Sequence, residues 1–395
     1  MKNKKFDIII YGATGFTGSL CVKYLKENYS NIKYAIAGRS AKKLQGVKEK
    51  FGLSCDIIIA EGSDSVALDK LTNITKVVLS TAGPFHRYGS KMVASCVKNN
   101  THYVDITGEN FWVREMIKKH HKTAKNKGVR IVNACGYDSI PSDLGVFYAV
   151  NSFGSAVKSV SAYHTWKGEA SGGTIETMFS IKDLNLDRSV FGAFSLNPTN
   201  SVTDLQKKLT NDKVSIERND TINAWTGPFI MAMANTRVVR RGAALLGTDN
   251  NYGKNFIYKE SAYYSKKSTA YITTLFLAIL GFTVVTPLRR VVRPLLKKPG
   301  QGPSQKIMDE GFFKCKFVTE GENGVKKIYS VYGDGDPGYK ITSKLVCESA
   351  LSLLGDHKNL PGGSDYGGVL TSSSGLGNVL IKRLINAGII FEEIL

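Results

Sequence analysis

An Ile-rich run, Phe6-Asp7-Ile8-Ile9-Ile10-Tyr11, stops at Gly12-Ala13-Thr14-Gly15-Phe16-Thr17-Gly18, and this junction limits the fold more than any other stretch. A short apolar run closed by glycine reads as a buried parallel strand. Leu20, Val22, Tyr24 and Leu25 then supply the apolar face of a helix ending before Asn28, and Tyr34 to Ala37 reads as the next strand. The result is a βαβ unit. Each glycine has a mechanical task in it: Gly12 permits the tight turn, Gly15 lets backbone approach a pyrophosphate, and Gly18 lets helix pack closely on strand. Phosphates would lie on the helix N-terminus, where unpaired N–H groups and the dipole favour anions. The bland alternative is a glycine-rich turn with no nucleotide, and the flanking strand and helix weigh against it.

An NAD site places a carboxylate about 20 residues beyond the glycines, on the ribose hydroxyls. Here no Asp or Glu occurs between Glu27 and Glu49. The second strand ends Ala37-Gly38-Arg39-Ser40, followed by Lys42 and Lys43, so Arg39 and Ser40 stand where a 2′-phosphate would sit. The expected cofactor is NADP(H). The competing reading makes Arg39 a solvated residue at a strand end.

The alternation continues: strand Asp56 to Ala60, helix near Ser65 to Leu71, strand Lys76 to Ser80, helix Gly89 to Val97, strand His102 to Val104, a long helix ending before Gly128, and strand Val129 to Asn133. Six strands with helical crossovers predict an α/β fold, a doubly wound parallel Rossmann sheet over residues 1–150. By position Asp64 flanks the adenine. The loop Thr81, Ala82, Gly83 and Pro84 reaches the nicotinamide ribose, because ligands sit at the carboxyl ends of such strands. The sixth-strand loop offers Tyr137 as first choice of proton donor, with Asp138 or Ser139 orienting the substrate; Asp105 and Glu109 are second choices. Against this, Ser139 and Asp143 suit the capping of a helix that starts near Pro141. His86 and His164 are candidate acids by residue type, yet a lone histidine is more often at the surface or in packing. Cys135 reads as a buried thiol.

A chain of 395 residues exceeds what one core spans, which predicts two domains. The formal charge of +20 attracts nucleic acid, anionic lipid or a phosphorylated cofactor. No zinc-finger spacing, basic zipper or basic run interleaved with aromatics is present, so nucleic acid is not expected. Cysteines 21, 55, 96, 135, 315 and 347 contain no Cys-x-x-Cys, which predicts reduced thiols in a cytosolic setting, no disulfide framework and no metal. The start, Met1-Lys2-Asn3-Lys4-Lys5, enters the first strand with too short an apolar run for a signal peptide, so no export is expected.

Taken together, Tyr11 to Gly18, Ala37-Gly38-Arg39-Ser40, Ser80-Thr81-Ala82-Gly83-Pro84-Phe85 and Gly136-Tyr137-Asp138-Ser139-Ile140-Pro141-Ser142-Asp143-Leu144-Gly145 resemble the saccharopine dehydrogenase-like oxidoreductases. The narrower resemblance is to the branch with the mycobacterial trans-acting enoyl reductases and the animal lipid-droplet homologue. Gly172-Gly173-Thr174, Lys298 to Pro303, Gly367-Gly368-Val369-Leu370-Thr371 and Leu376-Gly377 follow in the family's order, so the likeness spans nearly the whole chain. Ser372 departs from an expected proline. The resemblance implies an NADP-binding fold, a second α/β domain over residues 151–360, and a C-terminal segment, 361–395, returning to the first domain. It does not imply saccharopine as substrate.

In the second half Val157 to Trp166 alternates as a strand, Thr174 to Ile181 opens a helix, Phe312 to Glu320 and Lys326 to Tyr332 pair across Gly321 to Gly324, and Gly338 to Leu354 is an amphipathic helix. Residues 268–288 carry no charge over 21 positions, with Lys266 and Lys267 before and Arg289, Arg290, Arg293, Lys297 and Lys298 after. The preferred reading is a peripheral helix or hairpin in a membrane or lipid-droplet surface at the cytoplasmic face; burial at a domain or homodimer interface and a true span remain open. The expected function is NADP(H)-dependent oxidoreduction of a small hydrophobic or lipid-linked substrate, enoyl reduction included. A non-catalytic lipid-associated protein is the alternative. A saccharopine reductase, using Arg237, Arg240 and Arg241 to clamp an amino acid, ranks third.

Overall fold

The structure is a computed structural model that describes residues 4–169, 179, 184, 186–210, 212, 215–293, 302–355 and 357–394. The helix expected over Thr174 to Ile181 lies, apart from Phe179, outside those residues, as do Gly172-Gly173-Thr174 and 298–301.

The chain runs β1 (Phe6–Tyr11), α1 (Phe16–Asn28), β2 (Tyr34–Gly38), α2 (Ala41–Phe51), β3 (Asp56–Ile59), α3 (Ser65–Asn73), β4 (Thr75–Ser80), α4 (Phe85–Lys98), β5 (His102–Asp105), α5 (Asn110–Asn126) and β6 (Arg130–Val132). It then passes through α6 (Ile140–Phe153), β7 (Val157–Lys167), α7 (Asp204–Leu209), β8 (Glu217–Asn219), β9 (Ala224–Gly227), α8 (Ala232–Leu246), β10 (Tyr252–Tyr264), α9 (Lys267–Val285), α10 (Arg289–Val292), α11 (Gln305–Glu310), β11 (Phe312–Gly321) and β12 (Lys326–Asp334). It ends with α12 (Thr342–Ser352), β13 (Gly368–Leu370), α13 (Ser372–Gly375), α14 (Gly377–Asn386) and β14 (Ile390–Glu393).

Two compact units result: residues 1–140 with 338–387, and residues 141–337 with 388–395. The expected boundaries at 150 and 360 therefore move earlier. The first shifts because α6 already belongs to the second unit beyond Ile140. The second shifts because α12, read as part of the second domain, packs on α1 through buried Leu345, Val346 and Cys347.

In the first unit a seven-stranded sheet has the order β13-β6-β5-β4-β1-β2-β3, and every pair in it is parallel. The strand order reverses between β1 and β4, which makes it doubly wound. Fully buried Ile8, Ile9 and Ile10 fill both faces of β1. The C-terminal segment does return: β13 adds beside β6, pairing Val369 with Ile131. Buried Arg130 holds it by donating to the carbonyls of Gly375, Pro361 and Gly363. Ser372 is the first residue of α13, with Thr371 as N-cap, a position where proline fits equally well, so the departure leaves the turn intact. One part of the segment behaves otherwise: β14 pairs with β12 and completes the second sheet, not the first.

That second sheet, also seven-stranded, has the order β14-β12-β11-β7-β10-β9-β8. β7 and β10 are parallel neighbours, and the predicted β11–β12 hairpin pairs from Phe312–Asp334 to Glu320–Lys326. α6 and α8 supply buried apolar residues, Leu144, Phe147 and Val238 among them.

Candidate functional site

Strand register sets the site in the first unit. Tyr11 pairs with Ala37 on one side and Ser80 on the other, and Ser80 pairs with Asp105. β1, β2, β4 and β5 thus end at one level, and their loops leave from the carboxyl edge, where ligands of such sheets bind. A depression lined by Lys5, Phe6, Lys26, Lys33 and Asp56 lies at the opposite, amino ends of the strands.

The turn after β1 is built for glycine. Gly12 has φ +88°, and a Cβ there would lie 2.9 Å from Ala82 N. A Cβ on Gly18 would collide with the Gly12 carbonyl oxygen and sit 2.9 Å from Ala13 Cα. α1 follows with Gly15 at its N-cap and no side-chain cap, so its first N–H groups remain available to an anion. Phe16 packs edge-on to Tyr339, ring centroids 5.0 Å apart. Thr81 secures the next loop to this turn: its N–H donates to Tyr11 O at 2.9 Å and its hydroxyl to Gly12 O at 3.1 Å.

Beyond β2, Ser40 caps α2 by accepting from Lys43 N–H. Arg39, Lys42 and Lys43 are exposed, and their side chains make no ion pair or hydrogen bond among the described residues. The Tyr11 hydroxyl is pushed up to about 12 by burial and by Glu61, with Arg39 opposing; Arg39 follows β2 two residues beyond Ala37, the strand partner of Tyr11. A glycine-only turn, an uncapped helix start and three cations without acidic partners fit a pyrophosphate and a 2′-phosphate together. Asp64, expected near the adenine, spends its carboxylate capping α3, accepting from Val66 N at 2.9 Å and Ala67 N at 3.1 Å.

The acidic candidates separate by what surrounds them. Asp105 is fully buried; its oxygens accept from Thr107 N, Ala134 N and Asn133 Nδ2 at 3.1, 2.9 and 2.8 Å. Burial raises its carboxyl to about 6 despite these donors. Glu109 is also buried; it accepts from Phe85 N and His86 N at 2.8 Å each and faces His86 Nδ1 at 2.7 Å. It caps α4, whose own N-cap, Pro84, has no side-chain acceptor. Both carboxylates, second choices for proton donor, therefore hold loops in place. Sequence reading missed this because, Thr107 N apart, the groups they hold lie more than twenty residues away in the chain.

Tyr137, the first choice, is buried, and its N–H donates to Thr342 Oγ1 at 2.9 Å; Ser139 is buried as well. Across residues 133–140 only Asp138 keeps partial exposure, and burial raises its carboxyl to about 6. It is the titratable side chain of this loop that keeps some contact with solvent.

The second unit holds a separate cluster in its sheet. His164 on β7 places Nδ1 3.0 Å from Cys315 Sγ on β11 and Nε2 2.9 Å from Glu260 Oε1 on β10. Asn235 Nδ2 donates to Glu260 Oε1 at 2.7 Å, and the His164 ring stacks on Phe229 at 4.4 Å. Burial alone would lower the imidazole, but Cys315 and Glu260 outweigh it and hold it at about 10. The order thiol, imidazole, carboxylate resembles a catalytic triad. None of the three exceeds 3% exposure, so no substrate reaches them and the cluster is part of the core. Arg237, Arg240 and Arg241 are also consumed internally: Arg237 pairs with Asp212 at 2.6 Å, and the three donate to the carbonyls of Phe191, Ala193 and Leu196. They are not an amino-acid clamp.

Comparison with known proteins accords with this geometry. The saccharopine dehydrogenase NADP-binding domain family matches residues 8–132. A trans-acting enoyl reductase of Mycobacterium ulcerans is 33% identical over 413 residues, covering 98% of this chain and 97% of its own. One from Mycobacterium tuberculosis is 32% identical over 419 residues with the same coverage. Among solved structures, the L-glutamate-forming saccharopine dehydrogenase of Saccharomyces cerevisiae aligns over 99% of this chain and all of its own, with a TM-score of 0.55 and 12% identity. At that identity the likeness concerns fold alone.

Proposed function

This chain belongs to the saccharopine dehydrogenase-like family that contains the trans-acting enoyl reductases and carries that family's NADP(H)-binding domain; from this premise we propose that it is an NADPH-dependent reductase of a carbon–carbon double bond conjugated to a carbonyl, on a hydrophobic or lipid-linked substrate. The observation that carries the reading is Asp138, a partly exposed carboxyl raised to about 6 at the carboxyl edge of a dinucleotide-binding sheet.

Gly12 to Gly18 and the start of α1 would hold the pyrophosphate, Arg39 with Lys42 and Lys43 the 2′-phosphate, and Thr81 to Pro84 the nicotinamide ribose. The dinucleotide, when bound, supplies two electrons and one hydrogen as hydride. Reduction also needs one proton at the carbon next to the carbonyl. Asp138 gives that proton and regains it from solvent. Glu109 and Asp105 keep the loops after β4 and β6 in fixed positions, so the acid stays where it is needed.

Loss of NADPH absorbance with long-chain 2-enoyl thioesters should depend on enzyme and substrate. Reduction should be constant below about pH 6 and fall tenfold per unit above it, as the acid deprotonates. Asp138→Asn should lower kcat by about 100-fold or more and flatten that limb. Tight NADPH binding without turnover on a broad enoyl panel would support the non-catalytic alternative instead.

A further inference from the structure

Among the described residues α9 presents the second unit's largest uncovered apolar surface, and we infer that it lies flat in an anionic phospholipid surface, half-immersed and held by basic residues at both ends. This inference stands apart from the catalytic reading. Tyr271, Ile272, Leu275, Phe276, Ile279 and Phe282 are 54–68% exposed. Their spacing of three and four puts them on one side of the helix, and Leu288 and Val291 extend the patch past its end. Isolated exposed apolar residues are ordinary; a contiguous stripe of this kind marks an interaction surface.

Charge identifies the occupant. From Ser261 to Met308 the sequence has eight Lys or Arg and no Asp or Glu. Lys266 and Lys267 stand at the start of α9, and Arg289, Arg290 and Arg293 beyond its end. Lys267 lies over the Trp225 ring at 5.2 Å and the Tyr271 ring at 5.9 Å, the mix of aromatic ring and cation that favours the headgroup layer. An apolar stripe with cations at each end, on a segment whose sequence holds no carboxylate, complements anionic headgroups over acyl chains.

Topology fixes the depth. α9 spans 19 residues, about 28 Å at the helical rise, near the thickness of a hydrocarbon core. Its first turn is not free to enter, because Ala270 is fully buried in a cluster with Phe229, Ala262 and Tyr264. The strands on either side of it, β10 and β11, both pair with β7 in one sheet. One crossing would put them on opposite faces of the bilayer, so the helix enters and leaves from the same side.

The test is flotation of the full-length protein with phosphatidylcholine vesicles, with and without phosphatidylserine. We expect binding that requires the anionic lipid and weakens with salt. Phe276→Glu with Ile279→Glu should lower partitioning by about 100-fold; Arg289→Glu with Arg290→Glu should lower it by about fivefold per cation. NADPH affinity and the thermal unfolding midpoint should be unchanged in both, which shows that both units keep their fold. Phe276→Trp should shift its emission to the blue on binding and be quenched by shallow brominated lipids more than by deep ones. Absence of wild-type binding, binding indifferent to the glutamates, or resistance to alkaline extraction overturns the inference. So does a lipid-free dimer that the glutamates dissolve, because the occupant would then be a second copy. Turnover of a soluble enoyl thioester is read independently, so failure here and failure of the catalytic reading are distinguishable.

Discussion

Replacing Arg39 by alanine isolates the cofactor assignment. The side chain is exposed and makes no ion pair or hydrogen bond among the described residues, so its loss should change stability by no more than about 0.5 kcal/mol. A charged hydrogen bond to a phosphate contributes about 1.5–3 kcal/mol. Lys42 and Lys43 remain nearby and solvent screens the site, which favours the lower half of that range, about 1.5–2 kcal/mol, or a 10- to 30-fold rise in the Kd for NADPH. NADH lacks the 2′-phosphate, and its Kd should move by less than about threefold. Isothermal titration with both dinucleotides, wild type against Arg39→Ala, gives the four constants needed, and raising the salt should narrow the NADPH difference. Equal weakening of both dinucleotides would mean that Arg39 orders the loop and does not read the phosphate. No weakening of either would move the 2′-phosphate elsewhere and remove the physical basis for NADP(H) over NAD(H).

Two further perturbations test the framework. Gly18→Ala forces a Cβ into the Gly12 carbonyl and should cost about 1–3 kcal/mol of stability with loss of dinucleotide binding. Gly46→Ala in α2, where a Cβ meets nothing within 4 Å, is the matched control, and equal thermal shifts for the two would refute the close-packing argument. His164 is raised to about 10 when folded against 6.5 unfolded, so its contribution is fully present below about 6.5 and is lost as pH rises through 10. Thermal unfolding of the wild type should weaken over that window. His164→Gln should be about 3–5 kcal/mol less stable at neutral pH, leaving Glu260 buried with neutral donors and no cation, and flat across the window; a parallel decline in both proteins would place the titration elsewhere.

The parts legible in the sequence were those whose cause is local. β1, α1 and β2 follow from an Ile run, three glycines and a Leu/Val/Tyr face; the β11–β12 hairpin follows from alternation on either side of Gly321 to Gly324. The helix expected from Gly338 begins at Thr342, because a π-helical turn occupies Pro337–Ile341. What local pattern could not reveal is pairing across the chain. Glu109 reads as a free acid until α4 is seen to lack a cap of its own. His164 reads as a lone histidine until β7 is seen to sit between β10 and β11. A signal was present: Tyr258, Glu260 and Ala262 alternate inward on β10, and all three are buried. A glutamate in an inward register must have a partner. Its identity depends on strand order, which chain position does not give.

Asp105 and Asp138 show why a raised pKa alone does not identify a catalytic acid. Both are pushed to about 6 by burial. Against an unfolded value of 3.8, each binds its proton more tightly in the folded protein, so each subtracts stability as pH rises from about 4 to 6 and beyond. For Asp105 three donors offset that cost, and Asp105→Asn would turn an NH2 donor toward groups that now donate to the carboxylate, destabilising the loops. No such set of donors surrounds Asp138 among the described residues, and its folded-state penalty, about 1–2 kcal/mol after allowance for partial exposure, is recovered by amide replacement. Asp138→Asn should therefore be more stable than wild type above pH 7 while losing reductase activity, the opposition expected where a group is kept at the expense of the fold. If thermal unfolding instead shows the variant weakened at high pH, Asp138 is a structural acceptor like Asp105, and the proton donor must be sought elsewhere on that edge.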